Sequence, residues 1–395
     1  MDGTRFNYAT RAIAAALIVA TALSLSGAAS AETTSVYGWG STGCCVKNFT
    51  PVLVSGIPNP VVQIVTSNSA TYALDSSGDV WAWGQDSDGQ LGDGTLTQFV
   101  STPVQVEFPA GVVIAWLPNP MPYNTGLAVS TDNKVFGWGA NSYKPLCLLA
   151  KNIELPVQLP FSDVTLASGA GGHALYEANG QVLACGDNSF GDLGNGTTTP
   201  TRTTPVAVVG LPDEPVRSLD SAWGNSGALM ADGTFYAWGY NASGQLGNGT
   251  TTNSSVPVLV SLDAAATSVY QGGSLSDNGQ TVAMLADGTV WAWGNNTWGQ
   301  LGDGNRVDSS VPVEVEVPGG VTFSQVASGG GTSYAIDSTG DVWSWGQNSQ
   351  GQAGSGAGGR VDRDTPGSIG LDLTAIVATA GNVAGIDSSA PSART

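Results

Sequence analysis

Asp86, Asp88 and Asp93 stand close together in the stretch "WGQDSDGQLGDG" that begins at Trp83. Carboxylates spaced among glycines can wrap a calcium ion, and glycine-rich backbone can cradle phosphate, so both chemistries are tested first. A calcium loop alternates its acidic ligands as Asp-x-Asp-x-Asp-Gly and closes with a distal Glu, a pattern this stretch does not follow. A phosphate loop needs Gly-Lys-Ser/Thr after its glycines, and none follows here. In the other copies of the stretch the place of Asp86 is taken by Asn141, Asn188, Asn241, Asn296 and Asn348. Asn and Asp alike hold turns by bonding nearby backbone N–H groups, which makes a turn the expected role and leaves no metal or other cofactor called for.

His173 is the only histidine, so a Ser-His-Asp triad or a His-rich metal centre is hard to assemble. Counted back twelve residues from each repeat marker, its counterparts are Thr71, Gly126, Ser226, Thr281 and Ser333, which points to a hydrogen-bonding position on a strand. The segments "DSSGDVW" and "DSTGDVW" miss the sialidase Asp-box, because Asp and Gly stand one residue too far apart. A glycosidase carboxylate pair is a spatial feature, so a carbohydrate-active hydrolase stays as the alternative to a non-catalytic protein. Cys44, Cys45, Cys147 and Cys185 allow three full pairings that the sequence does not rank. Adjacent Cys44 and Cys45 are poorly placed to bond to each other, with α-carbons about 3.8 Å apart against a usual lower bound of about 4.4 Å. Cys185 replaces a marker tryptophan, so either that site repacks or the marker tryptophans are partly exposed.

Residues 1–31 have the layout of a secretory signal: Arg5 and Arg11, an apolar run over residues 12–25, and Ala29-Ser30-Ala31 before the cleavage point. The expectation is a mature chain from Glu32 that is secreted, periplasmic or held at the cell surface, without a membrane span. The formal net charge of −19 argues against nucleic-acid binding, which needs clustered Lys and Arg to displace counterions.

The elements that carry these residues repeat. "VYGWG", "VWAWG", "VFGWG", "VLACG", "FYAWG", "VWAWG" and "VWSWG" end at Gly40, Gly84, Gly139, Gly186, Gly239, Gly294 and Gly346, roughly 50 residues apart. Trp223-Gly224 falls outside this series. Asp-Gly or Asn-Gly precedes several markers, at Asp232-Gly233, Asp287-Gly288 and Asn179-Gly180, and is read as a two-residue hairpin turn with φ > 0 at both positions. The fold class is therefore all-β: one seven-bladed β-propeller over residues 32–395. Each chain end supplies part of a blade, so the strand near residues 35–40 should pair with that near 382–387 and close the ring.

The motif Trp-Gly-x-Asn-x-x-Gly-Gln-Leu-Gly-x-Gly, as in "WGYNASGQLGNG" from Trp238 and "WGNNTWGQLGDG" from Trp293, resembles the regulator of chromosome condensation repeat family. "GGHALYEANG" around His173 is similar to a second strand of the family repeat. The resemblance implies a seven-bladed propeller in a secreted, bacterial-type member. The family's nuclear exchange-factor activity fits poorly with an export signal and an acidic chain, so guanine-nucleotide exchange is the less favoured activity. Secreted members that set aromatic side chains of one face against a partner are a precedent for binding. Two units break the motif, "GSTGCCVKNFT" after Trp39 and "GANSYKPLCLLAKN" after Trp138, and "AWLPNPMPYNTG" precedes the third marker. Prolines stiffen that last loop around aromatic residues, which suits a binding anchor. The expected partner-binding residues are Trp116, Met121, Tyr123, Tyr143 and Lys144, in loops 116–124 and 140–150. The expected partner is an unidentified extracellular or periplasmic protein, bound by a monomeric propeller.

Overall fold

The computed structural model describes residues 34–41, 47–199, 202–273, 279–355, 361–379 and 382–388. The leader over residues 1–31 and the pair Cys44 and Cys45 lie outside the described residues. Twenty-eight strands and no helix make up the described chain, grouped in seven four-stranded antiparallel sheets. These are the seven blades. Blade 2 shows the plan, with β3 (Val61–Thr66), β4 (Ala70–Asp75), β5 (Val80–Gln85) and β6 (Phe99–Gln105) in order from axis to rim. β4 lies between two strands and is buried throughout, whereas the rim strand β6 is half-buried to exposed.

The ring closes as the sequence implies. β1 (Ser35–Ser41) pairs with β28 (Asn382–Asp387), setting Val36 opposite Ile386 and Trp39 opposite Val383. β2 (Lys47–Val54) and β27 (Ala375–Ala378) complete this blade from the two chain ends. Every rim strand carries a proline: Pro51, Pro103, Pro156, Pro205, Pro257, Pro312 and Pro366. Proline cannot donate to a ladder, so these edges are poor templates for pairing with a further strand.

Four of the marker tryptophans tie their blade to the one before it by an indole hydrogen bond. Trp138 donates its indole N–H to the Gln90 carbonyl at 2.9 Å, and Trp238 to that of Asp192 at 2.9 Å. Trp293 does so to Gln245 and Trp39 to Gln352, both at 3.0 Å. The acceptor in each case is in the preceding blade's Gly-Gln-Leu-Gly turn or its counterpart. Glycine is required there, because a Cβ on Gly92 would stand 2.8 Å from the Trp138 ring at a φ of +68°. The markers are buried, which removes partial exposure as the reason why Cys185 is tolerated.

Blade 4 instead repacks. Cys185 is disulfide-bonded to Cys147, with α-carbons 5.4 Å apart, and Cys147 occupies the place of Gly92 in the preceding turn. Beside it, Tyr176 occupies the strand position held elsewhere by Ala73, Ala128, Ala228, Ala283 and Ala335. Its hydroxyl donates to the Pro145 carbonyl at 3.0 Å, the counterpart of the Gln90 carbonyl, and its ring stacks on Phe161. A tryptophan, an alanine and a glycine have been exchanged together for cysteine, tyrosine and cysteine.

The hairpin turns correct two expectations. At Asn179-Gly180 both residues have positive φ, +53° and +77°, and Ala178 pairs with Gln181, a two-residue turn as read from sequence. At Asp287-Gly288 only the glycine has positive φ, and Leu285 pairs through its N–H with the Thr289 carbonyl, so the loop has three residues. Asp232-Gly233 does the same with Met230 and Thr234. Here the Asp carboxylate accepts the Thr234 N–H at 2.8 Å, which holds a type I turn ahead of the glycine. Because blade 4 has the shorter loop, counting back from its marker slips by one. In the structure Ala174 pairs with Cys185, and the true counterparts of His173 are Ala70, Thr125, Asn225, Gln280 and Thr332.

Candidate functional site: an aromatic-rimmed funnel

The aspartates that opened the sequence reading form turns. Asp86 accepts the Leu91 N–H at 3.0 Å, and Asn241 and Asn296 accept those of Leu246 and Leu301 at 2.9 and 3.0 Å. Burial raises the Asp86 carboxyl above its ordinary range, partly offset by the backbone N–H groups of Leu91 and Thr97. His173 serves the scaffold too, its Nε2 lying 2.8 Å from the Ser226 hydroxyl of the next blade. Burial lowers its pKa to about 4, so it is uncharged at neutral pH. Among the described residues no cluster of three or more His, Cys, Asp or Glu could hold a metal ion.

Four-stranded blades put two kinds of loop on one face of the ring: those joining first to second strands and those joining third to fourth. The first strands that surround the axis, besides β3 and β27, are β7 (Ile114–Trp116), β11 (Val164–Ala170), β15 (Val216–Ala222), β19 (Ala266–Gln271) and β23 (Phe323–Ser328). β7 stops after three residues, and its loop runs on across the gap. The Leu117 N–H donates to the Gln63 side chain, and the Pro120 carbonyl accepts the Gly169 N–H at 2.9 Å. The proline-rich segment thereby bridges β3 and β11 where a longer strand would otherwise stand.

A cavity of about 230 Å3 opens on this face at the axis. Asn119, Pro120, Met121 and Tyr123 line one side; Asp220, Trp223, Tyr270, Gln271 and Ser328 line the other. Tyr123 and Tyr143 each meet the Trp223 ring edge-on, at 5.8 and 5.9 Å between centroids. The following residue, Gly224, lies against Phe190 and Tyr240, which pack together at 4.9 Å. Tyr123, Trp223, Phe190 and Tyr240 are half-buried and Tyr143 is 43% exposed, so five rings from blades 3 to 5 present edges and faces to solvent.

The sequence-derived residues divide. Tyr123 and Tyr143 come together through Trp223. Met121 lines the cavity but is 2% exposed, and its sulfur accepts the Leu127 N–H. Trp116 packs against the core shared by blades 2 to 4, away from the cavity. Lys144 has a φ of +68° where other units have Gly89 or Gly244, and its ammonium donates to the Leu149 and Ala150 carbonyls. That closes its own turn.

Sequence reasoning passed over Trp223 and Asp220. Trp223 marks no blade, yet an extra aromatic in a first-to-second-strand loop is itself a signal. Asp220 is 5% exposed and stands where the other first strands carry Val65, Ser168, Tyr270, Ala327 and Val377. Burial pushes its pKa up to about 8, against hydrogen bonds from the Gln271 and Ser221 backbone N–H groups. The nearby Tyr270 is raised to about 12, first by its own burial and then by Asp220. Among the described residues neither end of the Gln271 amide, 5% exposed, finds a hydrogen-bond partner, and the Ser328 hydroxyl finds none.

Two profiles, both described as regulator of chromosome condensation (RCC1) repeat, match the chain. The first matches residues 77–116, 179–229, 232–276 and 287–336, and the second 61–90 and 323–352. The matched segments leave out 117–178, which holds Tyr123, Tyr143, Lys144, Cys147 and Tyr176. The ultraviolet-B receptor UVR8 of Arabidopsis thaliana is 29% identical over 313 residues, covering 78% of this chain and 69% of the receptor. The human E3 ubiquitin-protein ligase HERC2 is 27% identical over 75% of this chain, which spans only 6% of that much longer protein. Among solved structures, human WBSCR16 superposes with a TM-score of 0.77 at 20% identity, covering 90% of this chain and 99% of its own. Prp20p of Saccharomyces cerevisiae, whose structure was reported with its binding properties to Gsp1p and histones, superposes with a TM-score of 0.75, also at 20% identity. It covers 90% of this chain and 92% of its own.

Proposed function

The chain belongs to the regulator of chromosome condensation repeat family, and from that premise we propose that it is an exported, non-catalytic propeller that binds a protein through its aromatic-rimmed face. The observation that carries this reading is the cluster of Tyr123, Tyr143 and Trp223 at the mouth of the axial cavity. Rings held by neighbouring rings and by proline-stiffened backbone lose little freedom when a partner covers them, so the contact area converts efficiently to affinity.

Export is supported by the leader-like residues 1–31 and by the Cys147–Cys185 bond, which suits an oxidising compartment. A binding role is supported by relatives of the same fold described as binding proteins, such as Prp20p with Gsp1p and histones. Among the described residues the funnel lining has one carboxyl, Asp220, where glycoside hydrolysis ordinarily uses two, which favours binding over the hydrolase alternative. Low positive charge remains an argument against nucleic acid as the partner.

The test is affinity capture from the extracellular or periplasmic fraction of the source cells with the mature protein and with a Tyr143→Ala, Trp223→Ala variant. A protein retained by the native face and lost from the variant supports the reading. A partner retained equally by both, or no retained protein, contradicts it.

A further inference from the structure

Resting on that docking reading, we propose that the axial funnel is the receptor for a single primary ammonium side chain, a lysine of the docked partner, held by Asp220, Gln271 and Ser328. A volume of about 230 Å3 falls below the roughly 300–1,000 Å3 of drug-sized ligand pockets and fits one side chain. Among the described residues no Lys, Arg or His lines it, so none of these repels a cation, and the chain carries a net charge of −19 to draw one in.

The polar groups face the right chemistry. Buried amides and hydroxyls without partners cost free energy, which a ligand bearing hydrogen-bond donors recovers. Gln271 offers an unpaired carbonyl oxygen and Ser328 an unpaired hydroxyl, and next to them the Gln280 carbonyl oxygen is unpaired as well. An ammonium brings three donors and no acceptor, matching these three oxygens, though not the Gln271 NH2, which has no partner among the described residues either. Its alkyl stem would run past Trp223, Tyr123, Val377 and Ala378, where rings add cation–π attraction.

Entry of the ammonium shifts a proton. Asp220 is a neutral carboxylic acid before binding, since burial holds its pKa near 8. Binding releases that proton to solvent and leaves a carboxylate beside the ammonium, so charge balances in the buried site. The strands packed on β15 bring few competing groups. β11 and β16 (Asn225–Met230) bring no titratable side chain, and β19 brings Tyr270. β12 (His173–Ala178) brings the uncharged His173, Tyr176 and Glu177, and Arg217 of β15 itself is exposed. Tyr123 is the further titratable group in the lining.

The experiment needs no partner, so its outcome is separable from that of the capture test. Nα-acetyl-lysine N-methylamide is titrated into the protein, with Nα-acetyl-norleucine N-methylamide and glucose as neutral controls. The Trp223 indole and Gln271 amide NMR signals report occupancy. Saturable shifts are expected from the lysine probe alone. Affinity should rise by up to about tenfold per pH unit between about pH 6.5 and 8, because the proton must leave while the amine stays charged. Asp220→Asn, which keeps shape and neutrality, should abolish probe binding while its folded spectrum is retained. Equal binding of the norleucine probe, shifts from glucose instead, retained lysine binding in Asp220→Asn, or no saturable shift with the native protein would each overturn the proposal.

Discussion

Replacing Cys147 and Cys185 together by serine removes a crosslink across 38 residues of chain at the seam of blades 3 and 4. Loop-closure entropy for that length puts the loss near 4 kcal/mol at 25 °C. The seam allows a sharper test, because three positions changed together relative to the other blades. In the native protein, Tyr176→Ala deletes a buried ring and its bond to the Pro145 carbonyl, and should cost about 3–5 kcal/mol. In a Cys147→Gly, Cys185→Trp background the indole reclaims that space and carbonyl, so Tyr176→Ala should there be neutral or stabilising. Equilibrium urea unfolding of the four proteins gives the coupling energy directly. A coupling of several kcal/mol, with the sign of the tyrosine effect reversed, is expected. If Tyr176→Ala costs the same in both backgrounds, Tyr176 does not stand in for the tryptophan and the compensation argument fails.

Asp220→Asn should raise stability by about 4 kcal/mol at pH 7 and leave it unchanged below about pH 4. The native carboxyl keeps a proton up to about pH 8 that the unfolded chain releases near 3.8, so native stability falls as pH rises through that window; urea titrations at several pH values read this. His173 works in the opposite sense: the unfolded chain takes up a proton near pH 6.5 that the folded chain refuses until about pH 4, so stability declines as pH falls between those values. A His173→Gln variant should lose about 3 kcal/mol of that decline, seen as a flatter pH profile of unfolding. At Asp75, burial pushes the carboxyl up, but hydrogen bonds from Asn59, Trp81, Ser77 and Asp79 outweigh it and hold the pKa below its usual range. Its stabilisation is present above the unfolded pKa and lost as pH falls through the folded one, so Asp75→Asn should be most damaging at neutral pH and least in acid.

The propeller was legible because its signals repeat. Seven Trp-Gly or Cys-Gly marks, hairpin turns before them, and a finishing strand at one end with opening strands at the other settle blade number and closure, and the pairing of Val36 with Ile386 follows. What slipped was local. A three-residue loop at Asp287-Gly288 and a two-residue turn at Asn179-Gly180 differ in whether Asp or Asn enters the left-handed region, a choice that dipeptide preference does not fix. That difference of one residue moved the register at His173. The site was half legible: aromatic loops marked Tyr123 and Tyr143, but the ring joining them, Trp223, comes from another blade, a closeness the linear sequence does not show. Asp220 was visible only by aligning first strands, where a carboxyl replaces valine, tyrosine or alanine.

The most direct test of the docking face is the dissociation constant of the captured partner for four proteins: native, Tyr143→Ala, Trp223→Ala, and Val113→Ala on the opposite face, where Val113 is exposed beside Gly78. Loss of a central aromatic anchor should weaken binding by about 30-fold or more, equivalent to at least about 2 kcal/mol. Val113→Ala should change it by less than about twofold. Native affinity in Trp223→Ala, together with a large loss in Val113→Ala, would place the partner on the other side of the ring and contradict the account.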